Sequence, residues 1–591
     1  MNSVPQLTSE SAVSSSRDAQ LSNSRECRQA RGFYRLLAVL LAGVQTFAVR
    51  NSITPDGMSY LDLARAYGRH DWAMIVNGYW GPFYAWLLAL VLGICKPSIR
   101  WEYPVVHIMN FIVFLFAMAA FEFFWATALR YRETRAFNAR YPASRLSDFQ
   151  LWIFGYALFL WLTVGNILYL INPDLCLAAL VFVATGLLIR LKLATQNRAL
   201  LYVLFGLVLG LGYLVKAVMF PMGFIFLAVA FLLNKSKKHR RRIVLSVAVF
   251  LVVCAPQILA LSISERHFTF SDTGKLAFLW YNYDLPLRNW QGQPPNSGIA
   301  LHPIRRLWIH PSVFEFNGPV RATYPLWYNP GYWNAGMAHP LQLGLVARRT
   351  LSRIARILSA FTQPRAWLVG MLFVLFAADF RTTTRELLGH WYLIIPPLAI
   401  FAMYSLTWVD QRYLAVWELV LWACLLLSVR NRSRLAAATH AYNSLAVLVA
   451  LALISAVAYG SYGQIVHGRR DDARPEYVTA EGLLSLGLHS GDRVAAIGFN
   501  NDVHWAHLAR LSVVAEINSN DACEFWRAPS SLQTRILQKI ASADVKAVVA
   551  NLGGDVSSTS EAVVRDLRNC AGSHPGWQNI PGSPNIALML R

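Results

Sequence analysis

Long apolar segments alternate with short polar ones through most of the chain, from about residue 33 to residue 463. A segment of roughly 17 to 25 apolar residues is long enough to cross a bilayer as a helix. The apolar run at 82–95 stops at Lys96 and Pro97 and is short for a span, so we expect a short or re-entrant helix there. The remaining pattern predicts about eleven spans, at 33–50, 103–129, 149–166, 174–191, 199–217, 219–233, 243–263, 365–380, 389–408, 412–429 and 441–463.

The pattern changes beyond about residue 467. Short β-rich runs (DRVAAIGF, SVVAEI, DVKAVVAN and NIALML) are separated by amphipathic helical stretches near 475–487, 502–510 and 530–542. Strands that alternate with helices predict a small α/β domain with a largely parallel sheet. We therefore expect three units: a disordered, Ser-rich cytoplasmic N-terminus at 1–32, an all-α polytopic membrane domain at 33–466, and an external α/β domain at 467–591.

The composition agrees with a membrane protein. Of the 591 residues, 55% are hydrophobic and only 15% are charged, which excludes an ordinary soluble protein of this size. The net charge of +22 comes largely from short loops such as RYRETRAFNAR, NKSKKHRRR and VRNRSR. This distribution is typical of cytoplasmic loops and does not indicate a nucleic-acid site. With these loops inside, the loops at 51–102 and 264–364 and the tail lie outside.

The cysteines give no metal site. The seven cysteines show no CxxC pair and no spacing typical of metal ligands. We therefore predict no metal ligands and name no cofactor, because a divalent metal has no support in the sequence. Cys523 and Cys570 both fall in the tail, where the alternatives are a disulfide between them or two free thiols.

The first external loop carries the candidate chemistry. The stretch TPDGMSYLDLARAY predicts a turn and then a helix on the membrane surface, with Asp56 before the helix and Asp62 on its solvated face. Asp56 is either a helix cap or a general base. A second acid, Asp174, follows Asn172 and Pro173 at the start of a span, where it also suits the first turn of a helix. Both acids sit at the outer ends of apolar segments, so they suit one cleft with a base and an orienting group.

The loop at 264–364 is rich in aromatic residues. Its stretch GPVRATYPLWYNPGYWNAG is also dense in Pro, Gly and Asn. A belt at the membrane interface explains some of these aromatics. The alternative is a sugar site, since aromatic faces suit the apolar faces of sugar rings.

These motifs resemble the C-type glycosyltransferases (GT-C), which include the protein O-mannosyltransferases and the aminoarabinose transferases of lipid A. In that family an acidic motif in the first external loop precedes a helix and a Pro-aromatic-Tyr-Trp start of the next membrane segment. Here Asp56 matches the first acid, and GPFYAW supplies Pro82, Tyr84 and Trp86. NPDLCLAALVFVATGLLIR resembles the second acidic turn of the family, and DQRYLAVW resembles a late Arg-Tyr-Leu element. One position departs, because Gly57 stands where many relatives have Glu.

The resemblance covers about residues 33–463 and implies sugar transfer from a polyprenyl-phosphate donor to a glycan, lipid or protein acceptor. The protein would lie in a bacterial inner (plasma) membrane with its active site outside the cytoplasm. Asp56 and Asp174 would be catalytic, and Arg412 and Lys216 would bind the donor phosphate, unless these two cations only mark helix ends. The expected substrate contacts are Tyr60, Tyr84, Trp86, Tyr413, His302 and Arg321.

Two other function classes remain as alternatives. A polytopic transporter usually has internal repeats and ionisable groups near the middle of its spans, whereas no repeat is visible here and the acids lie at span ends. A non-catalytic assembly factor for envelope glycans would bind a partner through the tail. The polar tail residues Asn501, His504, His507 and Glu516 are either surface or site.

Overall fold

The computed structural model of the chain describes residues 8–137, 144–193, 199–431, 436–467, 474–552, 570 and 576–590. Within these ranges, the side chains at 8–25, 134–137, 144, 431, 436–439 and 467 are not described. Residues 1–7 of the predicted disordered N-terminus lie outside the described residues. So do 138–143, 194–198 and 432–435, which belong to loops predicted to be cytoplasmic.

Helices form most of the described chain, since a helix satisfies the backbone hydrogen bonds of an apolar segment internally. The first half contains α1 (Thr8–Ala48), α2 (Pro55–Gly68), α3 (Trp72–Ile75), α4 (Pro82–Cys95), a 3-10 turn (Ile99–Trp101), α5 (Glu102–Phe137), α6 (Asp148–Thr163), α7 (Asp174–Leu193), α8 (Ala199–Val215), α9 (Met219–Leu232) and α10 (Lys237–Glu265). The long loop and the later membrane segments contain α11 (Thr273–Tyr283), α12 (Pro325–Tyr328), α13 (Pro330–Trp333), α14 (Leu343–Ala360), α15 (Arg365–Phe376), α16 (Phe380–Gly389), α17 (Trp391–Ser405), α18 (Gln411–Ser428) and α19 (Ala436–His467).

Each predicted span coincides with one of these helices. By length and composition, five helices in the described chain can cross a membrane: the turn together with α5, then α7, α10, α18 and most of α19. The number rises to seven if α14 with α15, and α16 with α17, each form one bent span. The shorter apolar helices are α4, α8 and α9. The figure of about eleven spans therefore stays a prediction, and the apolar run at 82–95 is a helix of 14 residues.

The tail adds four helices and most of a sheet. The helices are α20 (Arg474–Ser485), α21 (His504–Leu508), α22 (Ser519–Arg527) and α23 (Ser530–Ala541). Two short strands near the membrane helices, β1 (Ser144–Arg145) and β4 (Arg430–Asn431), pair with each other. The other strands are β2 (Arg305–Trp308), β3 (Val313–Glu315), β5 (Arg493–Ile497), β6 (Ser512–Ile517), β7 (Ala547–Asn551), β8 (Gln578–Asn579) and β9 (Asn585–Met589).

These last strands form one sheet in the order β2-β3-β6-β5-β7-β9-β8. The four strands predicted in the tail are present, and β5 runs parallel to both β6 and β7. Two further strands come from the long loop, because β3 pairs antiparallel with β6. The sheet therefore crosses the predicted domain boundary at 467, and the layout of three units stays a prediction.

The two faces of the sheet bury different neighbours. Val494, Ala496 and Val513 belong to the same apolar core as the membrane helices. The alternate strand positions, such as Ala495 and Ile497, pack in a second core with α22 and α23. This alternation follows from the two-residue period of a strand. Cys523 and Cys570 of the second core form a disulfide. Of the two alternatives that the sequence left open, a disulfide or two free thiols, the structure therefore has the disulfide.

The helix α1 begins at Thr8, within the Ser-rich segment, and the disorder expected for residues 1–32 stays a prediction. One other local expectation differs from the structure. The prediction of a solvated face for α2 is wrong at Asp62, whose exposed fraction is only 9%. The cause is tertiary, since α2 packs against α4, α12 and α21 instead of lying free on a surface.

Candidate functional site

Asp56 lies in the first turn of α2 but does not cap the helix. The cap is Thr54, whose hydroxyl accepts a hydrogen bond from the Gly57 N–H at 3.4 Å, and Pro55 follows as the first helical residue. The absence of a side chain at Gly57 has a packing reason. A Cβ there would lie 3.0 Å from the Cβ of Ile171, so the turn before α7 would have to shift slightly to admit a side chain.

Asp174 begins α7, and its helix opens as the sequence predicts. The Asn172 side chain accepts a hydrogen bond from the Asp174 N–H at 3.0 Å. The Asp174 side chain is only 3% exposed, and a buried charge needs a partner. Lys216, directly after α8, supplies it with Nζ 2.7 Å from Oδ1.

Arg412, near the start of α18, connects the two acids. One of its terminal nitrogens donates to Asp56 Oδ2 at 3.1 Å. Its Nε lies 3.8 Å from Asp174 Oδ2 and 3.7 Å from the carboxylate of Asp410, the residue that caps α18. Four predicted residues from distant segments therefore meet at one place. We call this group, with Asp410, the Asp56 cluster: Asp56, Asp174, Lys216, Asp410 and Arg412.

The Asp56 cluster is not fully satisfied. Its three carboxylates outnumber its two cations, which gives a formal charge of −1. The buried Nε of Arg412 makes no hydrogen bond within the described chain. The Asp56 side chain is 26% exposed, against 3% for Asp174. Asp56 and Asp410, whose side chain is 39% exposed, are therefore the carboxylates of the cluster that an incoming molecule can reach.

Aromatic side chains form a wall beside Asp56. The indole N–H of Trp327 donates to Asp56 Oδ1 at 3.3 Å. The Trp280 ring stacks on Trp327 with centroids 6.1 Å apart, and the rings of Tyr79 and Trp80 contact Trp327 at 5.8 and 6.1 Å. Rings from the first loop and from the long loop thus converge over one carboxylate. Such a surface suits the apolar face of a sugar.

Two of the predicted substrate contacts lie beside the cluster. The Tyr413 hydroxyl accepts a hydrogen bond from Arg412 at 3.1 Å, and Lys216 Nζ lies 3.7 Å from the centre of the Tyr413 ring. Tyr60 is buried on α2. Burial and the carboxylates of Asp174 and Asp56 raise the pKa of Tyr60 well above its usual value, which reflects how near the two acids are.

The other four predicted contacts lie elsewhere. Tyr84 is buried behind Tyr60 and donates to a buried asparagine. Trp86 is 41% exposed and packs edge-on to another tyrosine. His302 stacks on a neighbouring tyrosine in the long loop, with ring centroids 3.9 Å apart. Arg321 is exposed and lines a separate cavity of about 610 Å³ between the tail and α2.

A second charged group lies further along α2, which we call the His507 cluster: Asp62, Arg65, Glu102, His507 and Arg510. His507 is fully buried, with Nδ1 3.0 Å from Asp62 Oδ1 and Nε2 2.9 Å from Glu102 Oε1. Glu102 also forms ion pairs with Arg65 and with Arg510. This cluster joins α2, the start of α5 and α21 of the tail.

The Asp62 carboxylate is satisfied on both oxygens. The backbone N–H and the hydroxyl of Thr323 donate to it at 2.8 and 2.9 Å. Burial alone would raise the pKa of Asp62, but the hydrogen bond from His507 and the charges of His507 and Arg65 outweigh it and hold the pKa below its ordinary value. The arrangement is that of a paired internal charge, which the sequence pattern did not reveal.

The sequence also missed two members of the site. Trp327 was one of many loop aromatics, and nothing local marks it as the residue that reaches Asp56. Asp410 stands two residues before Arg412. The preference for Asp as a helix cap was the local signal that could have identified it. In the part of the chain that the structure describes, no group of three or more His, Cys, Asp and Glu side chains is placed to hold a metal ion.

No protein-family model matches the chain, and no curated protein matches it in sequence. Solved structures do match. The crystal structure of ArnT from Cupriavidus metallidurans in the apo state aligns with a TM-score of 0.50 at 11% identity, and covers 95% of this chain and 98% of that one. The oligosaccharyltransferase of Archaeoglobus fulgidus in the apo form aligns with a TM-score of 0.49 at 13% identity, and covers 88% of this chain and 69% of that one.

At such identities the likeness to ArnT concerns the fold alone. It extends over nearly the whole of both chains. The resemblance to the C-type glycosyltransferases, predicted from short motifs, is therefore confirmed as a shared fold. Together with the apolar helices, this fold makes the chain an integral membrane protein with several membrane-spanning helices.

Proposed function

We propose that this chain is a membrane glycosyltransferase that moves a sugar from a polyprenyl-phosphate-linked donor to an acceptor on the non-cytoplasmic face. The observation that carries the proposal is the Asp56 cluster itself. Asp56, Asp174, Arg412 and Lys216 come from four separate segments and meet beside an aromatic wall, in a chain with the fold of ArnT.

Asp56 acts as the general base in this proposal. Its carboxylate is partly exposed and contacts Trp327 of the aromatic wall, and Thr54 caps its helix, whereas the exposed Asp410 is itself the cap of α18. The acceptor O–H or N–H gives its proton to Asp56 while the acceptor atom forms a bond to the anomeric carbon of the sugar. The bond from that carbon to the phosphate oxygen breaks, and polyprenyl phosphate leaves with the electron pair. Base catalysis of this kind contributes about 10²–10⁴-fold.

Asp174 and Lys216 position the site. Asp174 is buried, so the acceptor cannot reach it as easily as it reaches Asp56. The ion pair between Asp174 and Lys216 fixes the Lys216 ammonium group beside the ring of Tyr413. Arg412 lies between the carboxylates of Asp174 and Asp56. Arg412 then offers its Nε, which makes no hydrogen bond within the described chain, to the oxygen on which negative charge develops as the phosphate leaves.

The aromatic wall holds the sugar against Asp56. Trp327 both donates to the carboxylate and presents its ring, and Trp280 stacks behind it. A ring that stacks on a sugar fixes its orientation without adding charge. This arrangement places the donor sugar next to the base, as the reaction requires.

The orientation of the protein in the membrane is part of the same proposal. The disulfide between Cys523 and Cys570 favours an oxidising compartment for the tail, since such bonds are rare in the cytosol. The basic short loops favour the cytoplasmic side of the membrane, opposite to the tail. Both favour an active site outside the cytoplasm, and the bacterial plasma membrane in this proposal rests on the likeness to ArnT from Cupriavidus metallidurans.

The test is turnover by the purified protein in nanodiscs. A polyprenyl-phosphate sugar is supplied together with envelope extract as the acceptor source, and released polyprenyl phosphate is measured against sugar incorporated into the acceptor. We expect the two to rise together. Movement of the intact donor or sugar across the bilayer without cleavage of the sugar–phosphate bond would favour a transporter instead.

A further inference from the structure

The helix α14 has two unlike faces. Its apolar residues Leu343, Leu351 and Leu358 are 73%, 67% and 63% exposed. Arg349, Arg353 and Arg356 fall on the opposite side of the helical wheel, and Arg348 lies at the border between the two faces. Leucines that are exposed in a membrane protein indicate a surface that lies against lipid.

The direction of α14 fits this reading. The helix meets α15 at an angle of 79°, so the two cannot both run along the membrane normal. An amphipathic helix with a basic face and an apolar face lies in the plane of the membrane interface. We infer that α14 rests on the membrane with its leucines toward the lipid tails, Arg349 and Arg353 toward the protein, and Arg348 and Arg356 exposed.

The arginine face lines a cavity of about 450 Å³ with Tyr281, Asp284 and Trp408. Two of the arginines are already paired. Arg349 donates to Asp284 at 2.9 Å, and Arg353 is buried and donates to a neighbouring asparagine at 2.9 Å.

The other two arginines are available. Within the described chain, neither Arg348 nor Arg356 makes an ion pair or a hydrogen bond through its side chain, although the Arg356 guanidinium lies 5.9 Å from the Trp408 ring. The cavity therefore offers two free guanidinium groups at the level of the lipid headgroups.

This cavity adjoins the Asp56 cluster. The rings of Tyr281 and Trp408 stack with centroids 4.5 Å apart, and Trp408 precedes Asp410 by two residues. Burial raises the pKa of Tyr281, and the Asp56 carboxylate raises it further while Arg412 lowers it. Both charged groups are therefore close enough to act on the tyrosine that also lines the cavity.

The charges of the two places are opposite. Three carboxylates and two cations give the Asp56 cluster a formal charge of −1, whereas four arginines and one aspartate give the cavity a charge of +3. A phosphate that binds only at the Asp56 cluster would lie near three carboxylates, which already pair with both cations of that cluster. The neighbouring cavity has guanidinium groups to spare, and guanidinium matches phosphate oxygens well.

We propose that the arginine face of α14 binds the phosphate of a polyprenyl-linked lipid, before transfer as donor and after transfer as spent carrier. The inference rests on the proposed function for the identity of this lipid. The isoprenoid chain would lie along the membrane beside the leucine face, and the sugar would extend past Tyr281 and Trp408 toward Asp56. Arg348 and Arg356 contact the phosphate in this docking position, from which it moves to Arg412 for the transfer step and to which it returns as spent carrier.

The experiment measures binding, so it does not depend on turnover. The full chain in phosphatidylcholine nanodiscs is titrated with polyprenyl phosphate, with the matching polyprenol, and with phosphatidylglycerol. The variants are R348Q/R356Q, the charge-conserving R348K/R356K, and R365Q. Arg365 is an exposed arginine at the start of α15 that does not line the cavity, so its change is a matched loss of one juxtamembrane charge.

We expect R348Q/R356Q to raise the Kd for polyprenyl phosphate by about 10-fold or more, since each arginine facing an anionic headgroup contributes measurably to binding. R365Q should change it by less than about 2-fold, and R348K/R356K should retain much of the affinity because the charge remains. Polyprenol should bind weakly and equally to all variants. A normal thermal unfolding midpoint in R348K/R356K controls for misfolding.

Unchanged affinity for polyprenyl phosphate in R348Q/R356Q would overturn the proposal. So would a loss confined to phosphatidylglycerol, because the cavity would then bind bulk lipid. The outcome is separable from the fate of the proposed function. An enzyme without sugar transfer but with arginine-dependent binding of polyprenyl phosphate keeps this inference, and sugar transfer with unaltered binding in R348Q/R356Q rejects it alone.

Discussion

One short helix, α2, carries charged residues into two clusters of opposite character. At its start, Asp56 has a donor on each carboxylate oxygen but is 26% exposed, and the buried Nε of Arg412 beside it makes no hydrogen bond within the described residues. Two turns later, Asp62 also has donors on both carboxylate oxygens but is only 9% exposed. What separates the two carboxylates is therefore whether the fold leaves them within reach of an incoming molecule.

The contrast gives a criterion for function. Breaking a buried, fully paired cluster leaves an uncompensated charge and costs stability. Changing an accessible carboxylate that caps nothing costs little stability but removes chemistry. The two clusters should therefore respond in opposite ways to the same kind of substitution, a carboxylate replaced by its amide.

Asp56→Asn should have the largest effect. We expect turnover to fall by about 10²–10⁴-fold, because the amide cannot accept the acceptor proton. The unfolding midpoint should not change, since Thr54 provides the cap. Turnover is measured in nanodiscs, and the unfolding midpoint is measured in detergent. Asp71→Asn is the matched control, because Asp71 lies in the same loop and its side chain does not cap α3. Comparable turnover in D56N and D71N would remove Asp56 from the mechanism.

Glu102→Gln should show the reverse pattern. Removing the carboxylate charge leaves Arg65 and Arg510 without their shared partner, so we expect a loss of about 3–5 kcal/mol in stability. Turnover per folded molecule should stay within a few-fold of normal. Glu481→Gln is the control, because Glu481 pairs with Arg100 on the surface, where such pairs contribute about 0–1 kcal/mol. Equal unfolding midpoints for E102Q and E481Q would mean that the His507 cluster is not structural.

Asp174→Asn should have an intermediate effect on turnover. It removes the charge that holds Lys216, and we expect a loss of about 10-fold to 100-fold, in line with a charge-assisted hydrogen bond. Lys216→Met should lose a similar amount. If the two residues act as one pair, the double variant will be little worse than either single variant. Losses that simply multiply would show that Asp174 and Lys216 act independently.

Glu476 gives the smallest effect, through pH. Burial raises the pKa of Glu476 to about 8 from an ordinary 4.5, although the Trp505 N–H bonds its carboxylate at 2.9 Å. The folded state therefore holds a proton that the unfolded chain releases at lower pH. This contribution to stability is fully present below pH 4.5 and is lost as the pH rises through 8.

The unfolding midpoint of the wild type should accordingly fall between about pH 5 and about pH 8.5. Glu476→Gln keeps an acceptor for the Trp505 N–H but has no proton to lose, so its midpoint should depend less on pH over this range. E481Q, in the same helix, should behave as the wild type. A pH dependence in E476Q as steep as in the wild type would exclude Glu476 as its source.

The sequence predicted the membrane helices well because each one is specified locally. An apolar segment has to satisfy its backbone within itself, so its own composition identifies it. The tail strands β5, β6, β7 and β9 were visible for a similar reason, as short runs of β-branched and small apolar residues. The strands β2 and β3 were not, because they are three or four residues long and depend on pairing with the tail.

The residues of the candidate site also differ in whether a local sequence pattern could identify them. Asp56, Asp174, Arg412 and Lys216 were found because charged residues at the ends of apolar segments are conspicuous. Trp327 was not singled out, since its bond to Asp56 joins residues 271 positions apart. His507 seemed equally suited to a surface, and its burial against α2 is again a contact between remote parts of the chain.

The pairing of His507 with Asp62 has a consequence for how the protein is made. The two residues are 445 positions apart, and Val313 of β3 pairs with Ile517 of β6, which follows it by 517 − 313 = 204 positions. Synthesis proceeds from the N-terminus, so the helix that carries Asp56 emerges early and receives its last neighbours only when the tail has been translated. Until then its polar face and an unpaired strand edge stay open, as is typical of slowly maturing folds with long-range contacts. Maturation of the first loop is in this sense the final step of assembly, and a chain that stops short of α21 would carry Asp62 and Glu102 without the His507 that bonds both.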